Sequence, residues 1–178
     1  MTIEFGQFAL RKPRPEDANG FIEICSDAET MKYYGIPGAT IRTVEDARSQ
    51  IDWCNDLFKR NSGRWIIVER TKDKYIGDIG FHNYVELHSR VEIGYRLFRT
   101  YWGRGIITSF IGQLLQCGFE QNGYNRVEAM VDSRNIGSKK VLLKNRFQLE
   151  GTMRDYESDH GHFVDLEMYS VLKRDFLM

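Results

Sequence analysis

The residues best suited to chemistry lie in a strand, a glycine-containing loop and a helix near the middle of the chain. Apolar and polar residues alternate over 91–97, which predicts a strand with one apolar and one mixed face. Gly103 and Gly105 lie in the loop, and helical spacing of apolar residues begins at Ile106. Glycines let a ligand approach the backbone, and the free N–H groups at a helix start attract anions. The segment therefore predicts a phosphate site beside the mixed face of a strand.

This segment differs from the two best-known phosphate loops. The sequence contains no G-x-x-x-x-G-K-[ST] run, and Thr108 stands where the dinucleotide fingerprint has its third glycine. Two glycines one residue apart are also frequent in ordinary tight turns. The glycines alone therefore leave a phosphate loop and a plain turn as open alternatives.

The composition is that of a globular protein without a nucleic-acid or membrane partner. Its 178 residues fit one domain over 1–178 that is long enough to bury a core. Lys+Arg and Asp+Glu balance at 25 each, so the basic field of a nucleic-acid-binding protein is missing. Neither a membrane-length apolar run nor a signal-peptide pattern occurs. The three cysteines and four histidines show no metal-ligand spacing, so we expect reduced thiols, no metal and a cytoplasmic location.

The periodicity along the chain predicts a mixed sheet with helices on its faces. Predicted helices begin near Pro15, Thr43, Ile106 and Ile136, and Thr43 with Asp46 resembles a capping box. A turn-rich loop is expected over 33–39 and a polar loop over 155–161. Strands are predicted at 5–11, 64–70, 75–83, 91–97, 126–131, 147–154 and 163–171. The resulting order, β-α-α-β-β-β-α-β-α-β-β, indicates the α/β (α+β) class.

Several motifs, taken together, resemble one protein family. They are the loop Trp102-Gly103-Arg104-Gly105, the run Asn135-x-x-Ser138 with Val141-Leu142, and the ending Asp165-x-x-Met168-Tyr169-Ser170. In this order and spacing they resemble the GNAT superfamily of N-acetyltransferases, and most closely its RimJ/RimL-like branch. The resemblance covers essentially the whole chain. It implies a mostly antiparallel central sheet that splays at a cofactor site, with helices on both faces.

The resemblance also implies acetyl-coenzyme A as the cosubstrate, with no metal. The pantetheine arm is expected to add to the strand edge at Leu97 and Phe98, where the sheet splays. Asn135 is expected to bond this arm, and Ser138 to lie near the sulfur. The residues expected to hold the pyrophosphate through backbone N–H groups are Gly103, Arg104, Gly105, Ile106 and Ile107.

Acetyl transfer to an amine requires a proton acceptor and a donor for the oxyanion. Glu92 is the first candidate base, because it alternates to the mixed face of the central strand. The alternative is a plain strand carboxylate paired with an arginine such as Arg90 or Arg96. A backbone N–H near Leu97 is the expected oxyanion donor.

The departing thiolate can also receive a proton from the protein. Many members of the family carry a tyrosine acid at the position of Leu142, so Ser138 becomes a candidate catalytic proton donor. The alternative for Ser138 is binding without catalysis, because a thiol titrates near ~8.5 and its thiolate leaves unaided. Thr100, where the family often has Arg or Gln, matters little because backbone groups bind the phosphates.

The acceptor amine stays open between a protein N-terminus and a small molecule. Tyr33, Tyr34, Trp53 and His82 are candidates for the acceptor side, together with the acidic segment 155–159. A homodimer is the family tendency. The rival interpretation is a non-catalytic acyl-coenzyme A sensor with the same fold, which Leu142 favours and Glu92 opposes.

Overall fold

The computed structural model describes residues 3–34, 41–159 and 161–177. Within them, eight strands form one sheet in the order β1-β2-β3-β4-β5-β6-β8-β7. The strands are β1 Ile3–Phe5, β2 Phe8–Arg11, β3 Gly63–Glu69, β4 Lys74–Val85, β5 Arg90–Leu97, β6 Arg126–Asp132, β7 Gln148–Asp159 and β8 His162–Leu172. The helices are α1 Ala18–Ser26, α2 Ala28–Met31, α3 Val44–Leu57, α4 Ile106–Glu120, α5 Ile136–Lys144 and α6 Lys173–Phe176.

The sheet carries a hydrophobic core on each face. On one face, α4 packs its apolar stripe, including Phe110 and Leu114, against Val91 and Ile93 of β5. On the other face, α1 and α3 cover a second cluster that includes Phe21. Burying both faces of the sheet stabilises the fold through the hydrophobic effect. The predicted helices on both faces are confirmed, and so is the capping box, since the Thr43 side chain accepts from the Asp46 N–H.

The sheet splays between β5 and β6. These two strands pair in parallel over three residue pairs, from Arg90↔Arg126 to Glu92↔Glu128. On its other side, β5 stays paired with β4 as far as Gly77↔Leu97. The last five residues of β5 therefore have a strand on one side and a gap on the other. The other strand pairings in the described residues are antiparallel, so the predicted mixed and splayed sheet is confirmed.

Two local predictions are wrong. The single strand expected over 5–11 is a hairpin of β1 and β2, because Gly6 adopts φ +55° and reverses the chain. The polar loop expected over 155–161 is mostly strand, since β7 and β8 pair as far as Asp159↔His162. β7 lies at the sheet edge and is largely exposed, so its polar residues are compatible with a strand there. Of the loop expected over 33–39, residues 35–39 lie outside the described residues.

A buried ionic cluster joins the three central strands. Asp78 of β4 is completely buried and accepts a hydrogen bond from Arg64 Nε of β3 at 2.6 Å. Arg96 of β5 donates from Nε to Asp78 Oδ2 at 3.0 Å, and Tyr75 Oη donates to the same oxygen at 2.7 Å. Burial alone would raise the pKa of Asp78, but the two guanidinium groups lower it overall. Asp78 is therefore a carboxylate in the folded protein.

The cluster also reaches the helical layer above it. Arg96 Nη1 donates to Cys25 Sγ of α1 at 3.1 Å, and Arg64 Nη2 donates to Tyr34 Oη at 3.1 Å. No disulfide joins the three cysteines, and burial raises the pKa of Cys54 to about 11, so that thiol keeps its proton at neutral pH. Among the described residues, no helix combines the length and apolarity needed to cross a bilayer.

Replacing Asp78 with Asn should destabilise the fold strongly, because two buried guanidinium groups lose their anionic partner. We expect a loss of about 3–5 kcal/mol in the free energy of unfolding, measured by urea denaturation. Folding lowers the pKa of Asp78, so its carboxylate contributes fully to stability at pH values above the ordinary carboxyl pKa. That contribution is lost as the pH falls through the folded value, so the difference between wild type and variant should shrink in acid.

Asp73→Asn is the matched control. Asp73 also bonds two arginines, Arg11 and Arg14, but its side chain is 50% exposed. Its loss should cost no more than about 1 kcal/mol. Equal losses in the two variants would contradict a special role for the buried cluster.

Candidate active site

A cavity of about 320 Å³ lies at the end of β5, where the sheet splays. Its walls are the end of β5, the loop that follows, and the first turns of α4 and α5. Eight of the nine residues predicted to bind a cofactor line this cavity: Leu97, Gly103, Arg104, Gly105, Ile106, Ile107, Asn135 and Ser138. The structure therefore brings together two motifs that are about thirty residues apart in the sequence.

Phe98 is the exception among the predicted cofactor residues. Its ring does not line the cavity but packs edge-on against Tyr75, with ring centroids 6.4 Å apart. Its backbone N–H donates to Ile76 O of β4 at 3.0 Å. Phe98 thus belongs to the sheet interior, and we expect its backbone and side chain to stay away from a cofactor.

The free edge of β5 presents backbone groups to the cavity. Phe98 and Ile76 form a hydrogen-bonded pair, and such pairs recur at every second residue of an antiparallel ladder. Arg96 therefore turns its N–H and C=O toward β4, while Tyr95 and Leu97 turn theirs toward the gap. Trp102 Nε1 donates to Leu97 O at 2.7 Å, in agreement with this direction. The strand edge can accept an extended, amide-containing ligand in the manner of an added strand.

The loop before α4 is built for an anion. Gly103 and Gly105 have φ of +74° and +73°, in the left-handed region that suits glycine. Gly105 is the N-cap of α4, and no side chain caps the first N–H groups. The side chain of Arg104 turns away and donates to Thr100 O at 2.8 Å. Free N–H groups, the helix dipole and exposed glycines together suit a phosphate or pyrophosphate.

The start of α5 is organised by Asn135. Its Oδ1 accepts from the Ser138 N–H at 3.0 Å and caps the helix. Sequence reasoning expected this side chain to bond a ligand, and the amide Nδ2 is the group left for that task. Leu142, in the same helix, is completely buried in the core.

Tyr95 is a site residue that sequence reasoning missed. Its hydroxyl lies 2.7 Å from Ser138 Oγ, and both residues line the cavity. Burial raises the pKa of Tyr95 to about 12, so the phenol keeps its proton at neutral pH. The alternation over 91–97 placed Tyr95 on the apolar face, and no sequence signal indicated that its hydroxyl would meet α5.

Glu92 does not line the cavity but lies two residues before Gly94, on the face of β5 opposite to α4. It pairs across strands with His82, and Nε2 of His82 lies 3.5 Å from Glu92 Oε2. The hydrogen bond from His82 lowers the pKa of Glu92, so the carboxylate is charged at neutral pH. The arginine partners considered from sequence are engaged elsewhere, Arg90 with Glu128 and Arg96 with Asp78.

The candidate acceptor residues are dispersed. Tyr33 and Tyr34 line the cavity, whereas Trp53 packs near His82 with ring centroids 6.5 Å apart. In the last hairpin, Tyr156 is exposed and Asp159 pairs with Arg134 at 2.7 Å, which ties the hairpin to the segment before α5. Among the described residues, no group of three metal-ligating side chains comes together.

Comparison with known proteins gives one consistent family. The family whose sequence model matches residues 7–148 is described as "Acetyltransferase (GNAT) domain". An uncharacterized N-acetyltransferase, p20, of Bacillus licheniformis is 37% identical over 176 residues, 98% of each chain. The ribosomal-protein-serine acetyltransferase of Escherichia coli strain K12 is 29% identical over 73% of this chain and 72% of its own.

A solved structure of similar fold contains coenzyme A. It is RimL, described as a ribosomal alpha-N-protein acetyltransferase in complex with coenzyme A, and it aligns with a TM-score of 0.86. The alignment covers 97% of this chain and 98% of that one at 19% identity, so it establishes the similarity of fold.

Gly105→Val should weaken coenzyme A binding strongly. A branched side chain would extend from the helix start into the open space where the phosphates are expected, and it would strain a φ of +73°. The dissociation constant of coenzyme A, measured by calorimetry, should rise by more than tenfold.

Gly123→Val separates backbone strain from the loss of the site. Gly123 has φ of +74° and equally open surroundings, but it lies in the turn after α4 and does not line the cavity. This control should lose stability and keep its affinity. Unchanged affinity in a folded Gly105→Val protein would mean that the phosphate site is elsewhere.

Proposed function

The chain belongs to the GNAT family of acetyl-coenzyme A-dependent N-acetyltransferases, and from this membership we propose which residues carry the reaction and which acceptors it serves. The acetyl group passes to a primary amine by direct attack in a ternary complex. The observation that carries this proposal is the single cavity formed by the free edge of β5, the loop 103–105 and the start of α5. The edge of β5 suits the pantetheine arm, the loop 103–105 suits the pyrophosphate, and the start of α5 suits the thiol end.

The cofactor is held mainly by backbone. The N–H groups at the start of α4, around Gly103 to Ile107, bind the pyrophosphate, and the edge of β5 at Leu97 bonds the amides of the pantetheine arm. Asn135 assists through its amide, and Ser138 lies toward the thioester. The candidate oxyanion donor is a backbone N–H near Leu97. The ladder pattern turns the N–H of Tyr95 as well as that of Leu97 toward the gap, and the one that the arm does not bond can serve the oxyanion.

The acceptor is a primary amine on a protein N-terminus or on a small molecule. A relative named as a ribosomal-protein-serine acetyltransferase supports the first option. The cavity wall of Tyr33 and Tyr34 supports either, since aromatic rings suit a cationic amine. The sensor alternative relied on Leu142, and the hydroxyl pair of Tyr95 and Ser138 in the cavity favours the enzyme instead.

We also propose that residues 1–178 form one domain that works in the cytoplasm. The shared sheet of β1 to β8 supports the first point, and three cysteines that form no disulfide with one another support the second. The homodimer expected from the resemblance stays a prediction.

The test of the proposed function is the release of coenzyme A from acetyl-coenzyme A over a panel of amines. The panel should contain peptides with different N-terminal residues, amino acids, polyamines and amino sugars. We expect turnover with one of these classes, and Gly105→Val should reduce it. Tight binding of acetyl-coenzyme A without turnover on the whole panel would instead support the sensor.

The proton acceptor can be identified by a crossed pair of variants. If Glu92 is the base, kcat of the wild type falls at low pH as Glu92 takes up a proton, which gives the pH profile of kcat an acid limb. Glu92→Gln then removes this limb and lowers kcat by about 10²–10⁴-fold. Under the same assignment, His82→Gln keeps the limb. It moves the limb to higher pH, because the hydrogen bond from His82 is what chiefly lowers the pKa of Glu92.

The opposite pattern would transfer the role to His82. In that case the limb disappears in His82→Gln and persists in Glu92→Gln. A buried Nδ1 atom of His82 without a hydrogen-bond partner among the described residues makes this alternative worth measuring. His88→Gln is the control, because His88 is exposed in a turn outside the site.

A further inference from the structure

The hydrogen bond between Tyr95 and Ser138 bridges the two sides of the splayed sheet. Tyr95 comes from β5, and Ser138 comes from the first turn of α5, which follows β6. Their hydroxyl oxygens are 2.7 Å apart, both side chains are half-buried, and both line the cavity. This contact is a direct polar link between two walls of the cavity. The edge of β5 forms one wall and the start of α5 forms the other.

The position of this pair along the cavity follows from the fold. The phosphate loop 103–105 lies next to the C-terminal end of β5, so an arm that enters from it passes Leu97 first. Tyr95 is two residues further along the strand, about 7 Å away. The end of the arm, which carries the thioester, therefore approaches the hydroxyl pair. This placement depends on the proposed function.

We propose that Tyr95 is a positioning residue that orients and polarises Ser138, the residue that the family resemblance places at the leaving thiolate of coenzyme A. Either hydroxyl can donate across the 2.7 Å contact, and under this proposal the single O–H of Tyr95 donates to Ser138 Oγ. Ser138 can accept this bond and donate its own hydrogen at the same time. Such a chain strengthens the terminal donor. Leu142 stands where many family members have a tyrosine acid, and it is buried in the core. The hydroxyl pair supplies a hydrogen bond to sulfur in place of that acid.

The chemical step balances without proton transfer from either hydroxyl. The amine lone pair forms the C–N bond, the C–S bond breaks with its electron pair on sulfur, and the nitrogen gives its protons to the base and to solvent. A tyrosine whose pKa is raised to about 12 does not protonate a thiolate that titrates near ~8.5. Hydrogen bonding stabilises the thiolate instead, and solvent protonates it afterwards.

The experiment is a titration of bound coenzyme A by the ultraviolet absorbance of its thiolate, for wild type, Tyr95→Phe, Ser138→Ala and the double variant. We expect the bound thiol to titrate at lower pH than free coenzyme A in the wild type, and to lose most of this shift in both single variants. The double variant should resemble Ser138→Ala, because Tyr95 acts through Ser138. Turnover should fall by about 10–100-fold in each single variant, the scale of one hydrogen bond to a charged group.

Tyr84→Phe is the control, because Tyr84 is also partly buried against the core but lies outside the cavity. Phenylalanine keeps the packing of Tyr95, so a purely structural role would leave the thiol titration of Tyr95→Phe at the wild-type value and overturn the proposal. Additive effects in the double variant would also overturn it. The titration requires only bound coenzyme A, so it decides this proposal even if no amine is turned over, the outcome that would refute the proposed function.

Discussion

The structure depends on one buried carboxylate that holds three strands together. Asp78 lies in the middle strand of the β3–β4–β5 group, and arginines from both neighbours, Arg64 and Arg96, converge on it. Burying these charges is costly, and the cost is offset only while every partner is present. The cluster therefore fixes the register of β5 against β4 through side chains as well as through backbone hydrogen bonds.

The rigidity of β5 matters because its other side is open. On the side of β6, β5 has no strand partner after Glu92. Its last residues are therefore held by β4 on the other side and by the helical layers. Arg96 makes this connection on one face through Asp78 and Cys25, and the core beneath α4 makes it on the other. A ligand that bonds the edge at Tyr95 and Leu97 then meets groups already in place. Such preorganisation reduces the entropy lost on binding.

Much of this arrangement was predictable from sequence, because its signals are local. The glycine loop and the helix starts at Ile106 and Ile136 each depend on neighbouring residues, and the structure has them at the predicted places. The family resemblance placed eight of the nine cofactor residues around one cavity. Phe98 does not line that cavity, because its ring packs against Tyr75 and its N–H bonds Ile76 of β4, and its contact with a cofactor stays a prediction.

Apart from the β1–β2 hairpin, whose turn at Gly6 is a local feature, what the sequence did not predict depends on distant residues. The edge position of β7, which makes polar residues compatible with a strand, is known only from the order of the whole sheet. The meeting of Tyr95 with Ser138 and the pairing of Glu92 with His82 join residues of different elements. Such contacts leave no signal in a single sequence, because alternation predicts which face of a strand a residue lies on but not which residue it contacts. Chemistry between elements therefore had to come from the structure.

The open side of β5 has a consequence for how the protein survives in the cell. An unpaired strand edge inside a sheet is a template on which another chain can add, and Trp102 protects only one carbonyl of it. Coenzyme A in the gap would act as a substitute strand and shield that edge. A ligand that binds only the folded chain adds about 2.7 kcal/mol of stability at one hundred times its dissociation constant. We therefore expect a larger supply of the cofactor to raise the resistance of the protein to aggregation and proteolysis, apart from any effect on turnover.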